Sequence, residues 1–452
     1  MLLALVVLAA TPAAADDVIP GATELPQTLT LDEALRIFKT TGLDLLIADA
    51  NVRNAEGALR IAGAIPNPVF SASVGNAFTY NAGGSADCAV TTGSVSCSPW
   101  IYEIGLNDNA AISDSVSGKR YLRTKVARTA LAAAKMNRAD AERTITLQVK
   151  TAYAQVARAE LGLKFAKEVA QSNGTTLKKF QDRYKAGAIQ EGDLMRIETQ
   201  KLESDQALDS AQGALDDARY ALAFLLGVRG RVNAFDVDEK TLDYAVPLAL
   251  RDATVTGLLR SAFDHRPDLI AIGYQRASAE AQIALARRQR VPDLNFGINY
   301  AWGGYGGTGT NGPLQTPTIT FGISLALPLF YQQQGEVKQA QAAYDTTSLE
   351  HARATAQVVN DVSTAYSDFA TAKRLVERME GPRREGGGLL ESAKGAFERI
   401  ALMYEKSAIS LTDYLDALRA HIATRAEYFN DLANYWSSIY ALEAAVGVDL
   451  RK

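Results

Sequence analysis

Four stretches of the chain alternate between large apolar residues and small or polar ones. Phe70-Ser71-Ala72-Ser73-Val74-Gly75-Asn76-Ala77-Phe78-Thr79-Tyr80 is mostly apolar at even positions, and Trp100–Asn107 and Leu294–Trp302 keep the same phase; Ile319–Leu327 is apolar at odd positions. Successive strand side chains point to opposite faces, so each stretch predicts a strand with one apolar face and one face of Ser, Thr, Asn, Gly and Ala. Alternation alone fits a soluble antiparallel sheet as well as a membrane barrel. Two features favour the barrel. The stretches have roughly the 9–11 residues that a tilted membrane strand needs. Aromatic residues Tyr80, Trp100, Tyr300 and Trp302 stand at the loop-facing ends, where an interfacial girdle belongs. Four strands cannot enclose a conducting pore, because barrels of about eight strands are already filled by their own side chains. Several protomers must then share one barrel.

Long helices are predicted after each strand pair. From Gly118 to Tyr184 there is no proline and good helix formers dominate, which predicts a helix of roughly 65 residues, about 100 Å long. Asn173-Gly174 is a candidate kink within it. The corresponding stretch from Gly335 to Tyr404 carries Gly381-Pro382 and Gly386-Gly387-Gly388, which predict a break. Such helices need neighbours of the same kind to bury their apolar stripes. A structural coiled-coil rod without channel activity is the competing reading, and the alternating strands argue against it.

The chain also contains itself twice. Leu31–Pro68 aligns without gaps on Val255–Pro292, and Tyr184–Val228 aligns without gaps on Tyr404–Val448; between them Thr151-Ala152-Tyr153 recurs as Thr364-Ala365-Tyr366. The period is far longer than the roughly 20–50 residues of a solenoid repeat. We expect a signal peptide at 1–15, a first structural repeat at 16–248 with strands near 68–80 and 99–107, and a second at 249–452 with strands near 293–302 and 317–328. The signal is read from the apolar run Met1–Ala15, which closes on Ala13-Ala14-Ala15 before Asp16-Asp17. No later segment holds about 18 consecutive apolar residues, so a membrane crossing requires strands closed into a barrel.

Hydrophobic residues at 47% and charged residues at 22% describe an ordered chain rather than a disordered one. A net charge of -4, with Lys and Arg scattered among Asp and Glu, provides no basic face for nucleic acid. Gly304-Tyr305-Gly306-Gly307-Thr308-Gly309 spells a dinucleotide-type glycine motif, but no helix follows it to meet a pyrophosphate. His265, His351 and His421 are isolated and form no metal-ligand spacing. With no catalytic motif we expect neither an enzyme nor a cofactor. Cys88 and Cys97 share one loop and are expected to form a disulfide in an oxidising compartment, with free thiols as the alternative.

A leader followed by two copies of helix, strand pair and long helical hairpin resembles the TolC family of outer-membrane efflux proteins, over nearly the whole span from Leu29 to Val448. Pro66-Asn67-Pro68, Gly118-Lys119-Arg120 and Arg266-Pro267-Asp268-Leu269 carry the resemblance locally. The first two are most similar to the branch that includes CzcC and CusC, which works with metal-cation pumps. The resemblance implies an α+β membrane protein with a TolC-like fold: a homotrimer whose twelve strands form one β-barrel in outer-membrane lipid and whose helices form a periplasmic α-helical barrel. It further implies docking on a periplasmic membrane-fusion adaptor and an inner-membrane pump of the RND type.

The resemblance also assigns residues. The hairpin turns Ala186-Gly187-Ala188-Ile189 and Ser407-Ala408-Ile409 would form the periplasmic tip and dock the adaptor. Asp193 and Tyr404 would help keep the entrance closed. Asp413 and Asp416 would ring it with carboxylates that favour cations; the plainer reading is an exposed pair of acids at a helix start. Two departures stand out. Ser407 replaces the glycine of the first turn, which predicts a turn that is built differently or strained, and Ile409 stands where the family has an arginine, removing one closing link.

Overall fold

The computed structural model describes residues 25–76, 100–303, 317–381, 387–406 and 408–450. The expected signal peptide, Tyr80, the Cys88/Cys97 pair, the 304–309 glycine motif and Ser407 lie outside the described residues. In chain order the elements are β1 (Thr28–Leu29), α1 (Leu31–Thr41), α2 (Leu43–Gly63), β2 (Val69–Asn76), β3 (Trp100–Asn107), α3 (Ala111–Val116), α4 (Lys119–Lys185), α5 (Glu191–Leu225), β4 (Asp236–Val237), α6 (Leu248–Arg251), α7 (Val255–His265), α8 (Pro267–Arg288), β5 (Leu294–Gly303), β6 (Thr318–Leu325), α9 (Gln334–Glu380), α10 (Leu389–Glu405) and α11 (Leu411–Val446). Helix α4 runs unbroken through Asn173-Gly174, whereas its counterpart is divided into α9 and α10 around Gly381, Gly387 and Gly388. Gly381 and Gly387 both have positive φ, a conformation glycine adopts without a Cβ penalty.

Two compact units are present: one within residues 1–49, 138–267 and 355–452, the other within 50–137 and 268–354. Each draws segments from both parts of the internal repeat, so repeat and compact unit are different divisions of the chain.

The second unit holds an antiparallel sheet of order β2-β3-β5-β6. Its register sets Ala72, Ile104, Tyr300 and Ile319 side by side on one face and Ser73, Glu103, Ala301 and Thr318 on the other. The apolar face is open on all four strands, and the polar face is the more sheltered one along β5, whereas on the edge strands β2 and β6 both faces are exposed. Phe70, Val74, Ile298, Phe321 and Ile323 are all exposed, while along β5 the intervening Asn295, Gly297, Asn299 and Ala301 are more sheltered. Tyr102 and Trp302, neighbours across the β3/β5 ladder on the apolar face, stack with ring centroids 5.5 Å apart. β6 ends at Leu325, and the chain has left the sheet before Pro328, which has no N–H for a ladder.

Gly118-Lys119-Arg120 ties this unit together. Gly118 takes φ +78 ahead of α4. The buried Lys119 Nζ lies 2.8 Å from Asp293 just before β5, and Arg120 Nε donates to the carbonyl of Gly63 at the end of α2. Arg123 clasps the buried Asp114 of α3 with two bonds of 2.7 Å each.

The first unit contains the largest buried side chains, among them Phe38, Tyr153, Leu222, Phe235, Tyr435 and Tyr440. It also includes a two-residue parallel pairing of β1 with β4, too short to leave an alternation signal. Contacts recur in corresponding parts of the repeat. Thr30 caps α1 and Thr254 caps α7, each by accepting from a backbone N–H at 3.3 Å. Tyr153 donates to the carbonyl of Leu29 at 2.7 Å, and Tyr366 reaches that of Ala253 at 3.5 Å. Gly227 and Gly447 both take positive φ, against the carbonyls of Thr41 and His265 respectively.

Two charged arrangements brace the C-terminal end of α11. Arg266, almost fully buried, donates to Asp361 at 3.0 Å and to the carbonyl of Ala445 at 3.3 Å. Lys150 and Glu443, both buried, pair directly, and Glu443 also accepts from Leu450 N–H at 3.1 Å.

Gly227→Ala is expected to destabilise the fold by about 2 kcal/mol or more, because a Cβ meets both the positive φ and the Thr41 carbonyl. Thermal unfolding followed by circular dichroism checks this, with Gly213→Ala, a site in open space within α5, as the control expected to retain stability.

Candidate functional site

Both turns between long helices lie in the first unit. In the first, Gly187 has φ +71, Gly187 N–H donates to the carbonyl of Tyr184 at 2.9 Å, and Ala188 N–H reaches back to that of Arg183 at 2.9 Å. These bonds satisfy carbonyls left over at the end of α4. In the second, Ala408 N–H makes the corresponding bond to Met403 at 2.9 Å, so both turns share this closure even though a serine replaces the glycine.

Behind the turns, Phe180, Ile197, Leu411 and Leu415 form a buried cluster, against which Leu177, Ile189, Leu194, Tyr404 and Tyr414 pack. The aromatic contacts continue along the helices. Phe180 stacks on Tyr404 with centroids 5.9 Å apart, Tyr404 on Tyr414 at 5.2 Å, and Phe397 on His421 at 5.3 Å; Phe397 also meets Tyr414. Offset aromatic pairs contribute roughly 0.5–1.5 kcal/mol each beyond their burial, so this ladder joins α4, α10 and α11.

Asp193 and Tyr404 are brought together here. Burial raises the Tyr404 hydroxyl above its ordinary value; the nearby Arg183 opposes the shift and Asp193 adds to it. Ile189 joins the same cluster, whereas Ile409 is half-buried and Ala186, Gly187, Ala188 and Ala408 are exposed.

The two entrance acids differ. Asp413 is the third residue of α11 and completes a capping box: Ser410 Oγ accepts from Asp413 N–H at 3.2 Å, and the Asp413 carboxylate accepts from Ser410 N–H at 3.3 Å. Asp416 is exposed and lies 3.8 Å from Arg419, which is also 3.8 Å from Glu203. Any field from these acids is therefore tempered by Arg419.

Sequence reasoning did not single out three arginines in this region. Arg183 faces Tyr404 electrostatically, Arg196 of α5 donates to Thr412 Oγ1 of α11 at 3.2 Å, and Arg419 links Asp416 with Glu203. Nothing in the local spacing marks Arg196, which lies seven residues beyond Ile189 while Thr412 lies three beyond Ile409; only the approach of α5 to α11 brings them together. Among the described residues, no group of three or more His, Cys, Asp or Glu could hold a metal ion, and no helix is long and apolar enough to cross a membrane.

The family model described as Outer membrane efflux protein matches residues 41–228 and 258–448. The chain belongs to the outer membrane efflux protein family. The cobalt-zinc-cadmium resistance protein CzcC of Cupriavidus metallidurans is 22% identical over 426 residues, covering 93% of this chain and 90% of CzcC. The pyoverdine export outer membrane protein OpmQ of Pseudomonas putida is 23% identical over 397 residues, covering 86% and 80% respectively. Among solved structures, CusC superposes with a TM-score of 0.72 at 17% identity, covering 96% of this chain and 97% of CusC. The fold is thus TolC-like, and the family places the chain in the outer membrane as an efflux protein. Its open apolar sheet face is the face that such a setting would expose to lipid.

Proposed function

We propose that this chain is one protomer of a homotrimeric exit duct in a tripartite efflux system, a passive channel that catalyses nothing. An inner-membrane pump, of the RND type in this reading, supplies the energy through a periplasmic adaptor. The observation that carries the proposal is the inverted sheet. Its exposed face is apolar, its polar face is the more sheltered along β5, and β2 and β6 end it on either side. In lipid, an open edge leaves backbone groups unsatisfied, so the edges must be paired. Three copies supply twelve strands, enough to close a barrel around a water-filled lumen.

In this reading the two repeats at 16–248 and 249–452 contribute two strand pairs and two helical hairpins per protomer. The turns at Ala186–Ile189 and at Ser407, Ala408 and Ile409 form the periplasmic tip and receive the adaptor. Tyr404, held by the aromatic ladder, and Asp193 near it help keep the entrance closed. Asp413 and Asp416, repeated three times, bias it toward cations. The cargo is a small solute, either a drug-like molecule or a metal cation. CzcC and OpmQ are named for different cargoes at nearly the same identity to this chain, which favours cargo choice by the pump rather than by the duct.

Planar-bilayer recording tests the proposal. Purified trimers are expected to conduct, and Asp413→Ala with Asp416→Ala is expected to lower the preference for K+ over Cl- and to weaken block by trivalent cations. The loss should fall mainly on the Asp413 change, since its carboxylate is held by neutral donors of the helix cap that leave its charge in place, whereas Arg419 offsets Asp416. Unchanged selectivity removes the entrance-ring assignment; absence of conductance removes the duct.

A further inference from the structure

Glu103 is the single charged side chain among the described residues of strands β2, β3, β5 and β6. It projects to the polar side of the sheet, in one transverse row with Ser73, Ala301 and Thr318. Ser73 Oγ donates to its carboxylate at 3.5 Å, and the small side chain of Ala301 on its other flank leaves the carboxylate room to project from the wall. Its strand neighbours Trp100, Tyr102, Ile104 and Leu106 point to the opposite, exposed apolar face. A charged residue on the lipid side of a barrel is costly, so this alternation leaves Glu103 only the water side.

We propose that Glu103 is a specificity-determining residue of the channel: a carboxylate on the lumen wall of the barrel, repeated three times, that favours passage of cations and binds multivalent ones transiently. The inference rests on the trimeric-duct reading. It is separate from the tip acids, because Glu103 belongs to the other compact unit and to a strand rather than a helix start. Physically, three carboxylates at one level of a pore wall act as a ring whose field counterions in the lumen screen only beyond the Debye length, about 10 Å at 0.1 M salt. No other charge among the described strand residues offsets it.

The test uses full-length trimers in planar bilayers at about 0.1 M salt, where screening is moderate. The background is the Asp413→Ala, Asp416→Ala variant, so that the tip acids no longer contribute. In that background a residual cation preference is expected. Glu103→Gln should move the reversal potential in a KCl gradient toward the nonselective value and weaken block by hexamminecobalt(III) about tenfold or more. Glu103→Asp should preserve both. If Glu103→Gln fails to assemble, Glu103→Cys labelled with an anionic and then, in a separate sample, a cationic thiosulfonate reagent provides the same comparison. The anionic adduct is expected to keep the preference for cations, and the cationic one to reverse it.

A Glu103→Gln trimer that conducts with undiminished selectivity and block overturns this inference and leaves the duct intact. Labelled cysteine trimers that are indifferent to the sign of the adduct do the same. Wild-type protein that forms no conducting trimer overturns the duct reading, and this inference with it.

Discussion

Lys150→Met is expected to cost about 3–5 kcal/mol per protomer, because it leaves the Glu443 carboxylate buried beside α4 without its cation. Lys150 also lies over the Tyr440 ring, 5.4 Å from its centroid, so the change removes a cation–π contact as well. Glu443 in turn receives the Leu450 N–H, so the chain after α11 should loosen with it. Adding Glu443→Leu is expected to recover most of the loss, since replacing both members of a buried pair by apolar groups removes the uncompensated charge. Thermal melting of the single and double variants in detergent distinguishes this account from a simple loss of packing, in which the second substitution would add to the damage.

The second large effect is expected on the sheet. Ile298→Arg places a guanidinium on the exposed apolar face, at a cost of about 2–4 kcal/mol per protomer near the bilayer midplane, incurred three times in a trimer. Folding into detergent or lipid vesicles, read as heat-modifiable migration of the assembled species, should fall sharply. Asn299→Arg changes the adjacent residue, which points to the sheltered polar side, and should assemble nearly as well as the wild type. Equal loss in both would mean that the sheet does not present one face to lipid.

Much of this arrangement was legible in the amino-acid sequence, for a physical reason. A strand between lipid and water must alternate, and a helix of 67 residues must avoid proline, so β2, β3, β5, β6 and α4 leave periodic signals. The break between α9 and α10 was legible from its glycines and Pro382. What local patterns could not disclose depends on pairing between distant segments. The β1/β4 contact has two residues per strand, and Lys150 finds Glu443 across 293 positions. Arg266 and Lys119 stood out only as parts of short family-like strings; the structure shows what they do, which is to hold the end of α11 and the start of β5.

The candidate site was legible unevenly. Ile189 and Tyr404 pack against one apolar cluster, and Asp193 lies near enough to Tyr404 to raise its hydroxyl. Asp413 shows how a local role can stand beside a symmetric one. Ser410-Leu411-Thr412-Asp413 has the spacing of a capping box, and the carboxylate is engaged there. Arg183 and Arg196 escaped notice because their partners, Tyr404 and Thr412, lie on other helices, whereas Arg419 stands only three residues from Asp416 within α11 and its further link to Glu203 is the non-local part.

The central claim is that three copies close one barrel. Native mass measurement of the protein extracted from outer membranes in mild detergent tests it most directly. The account predicts a species containing three chains, which cross-linking between residues of β2 and β6 captures as a closed threefold ladder. Particles of a single chain, stable in detergent and never joined through those two strands, would contradict it.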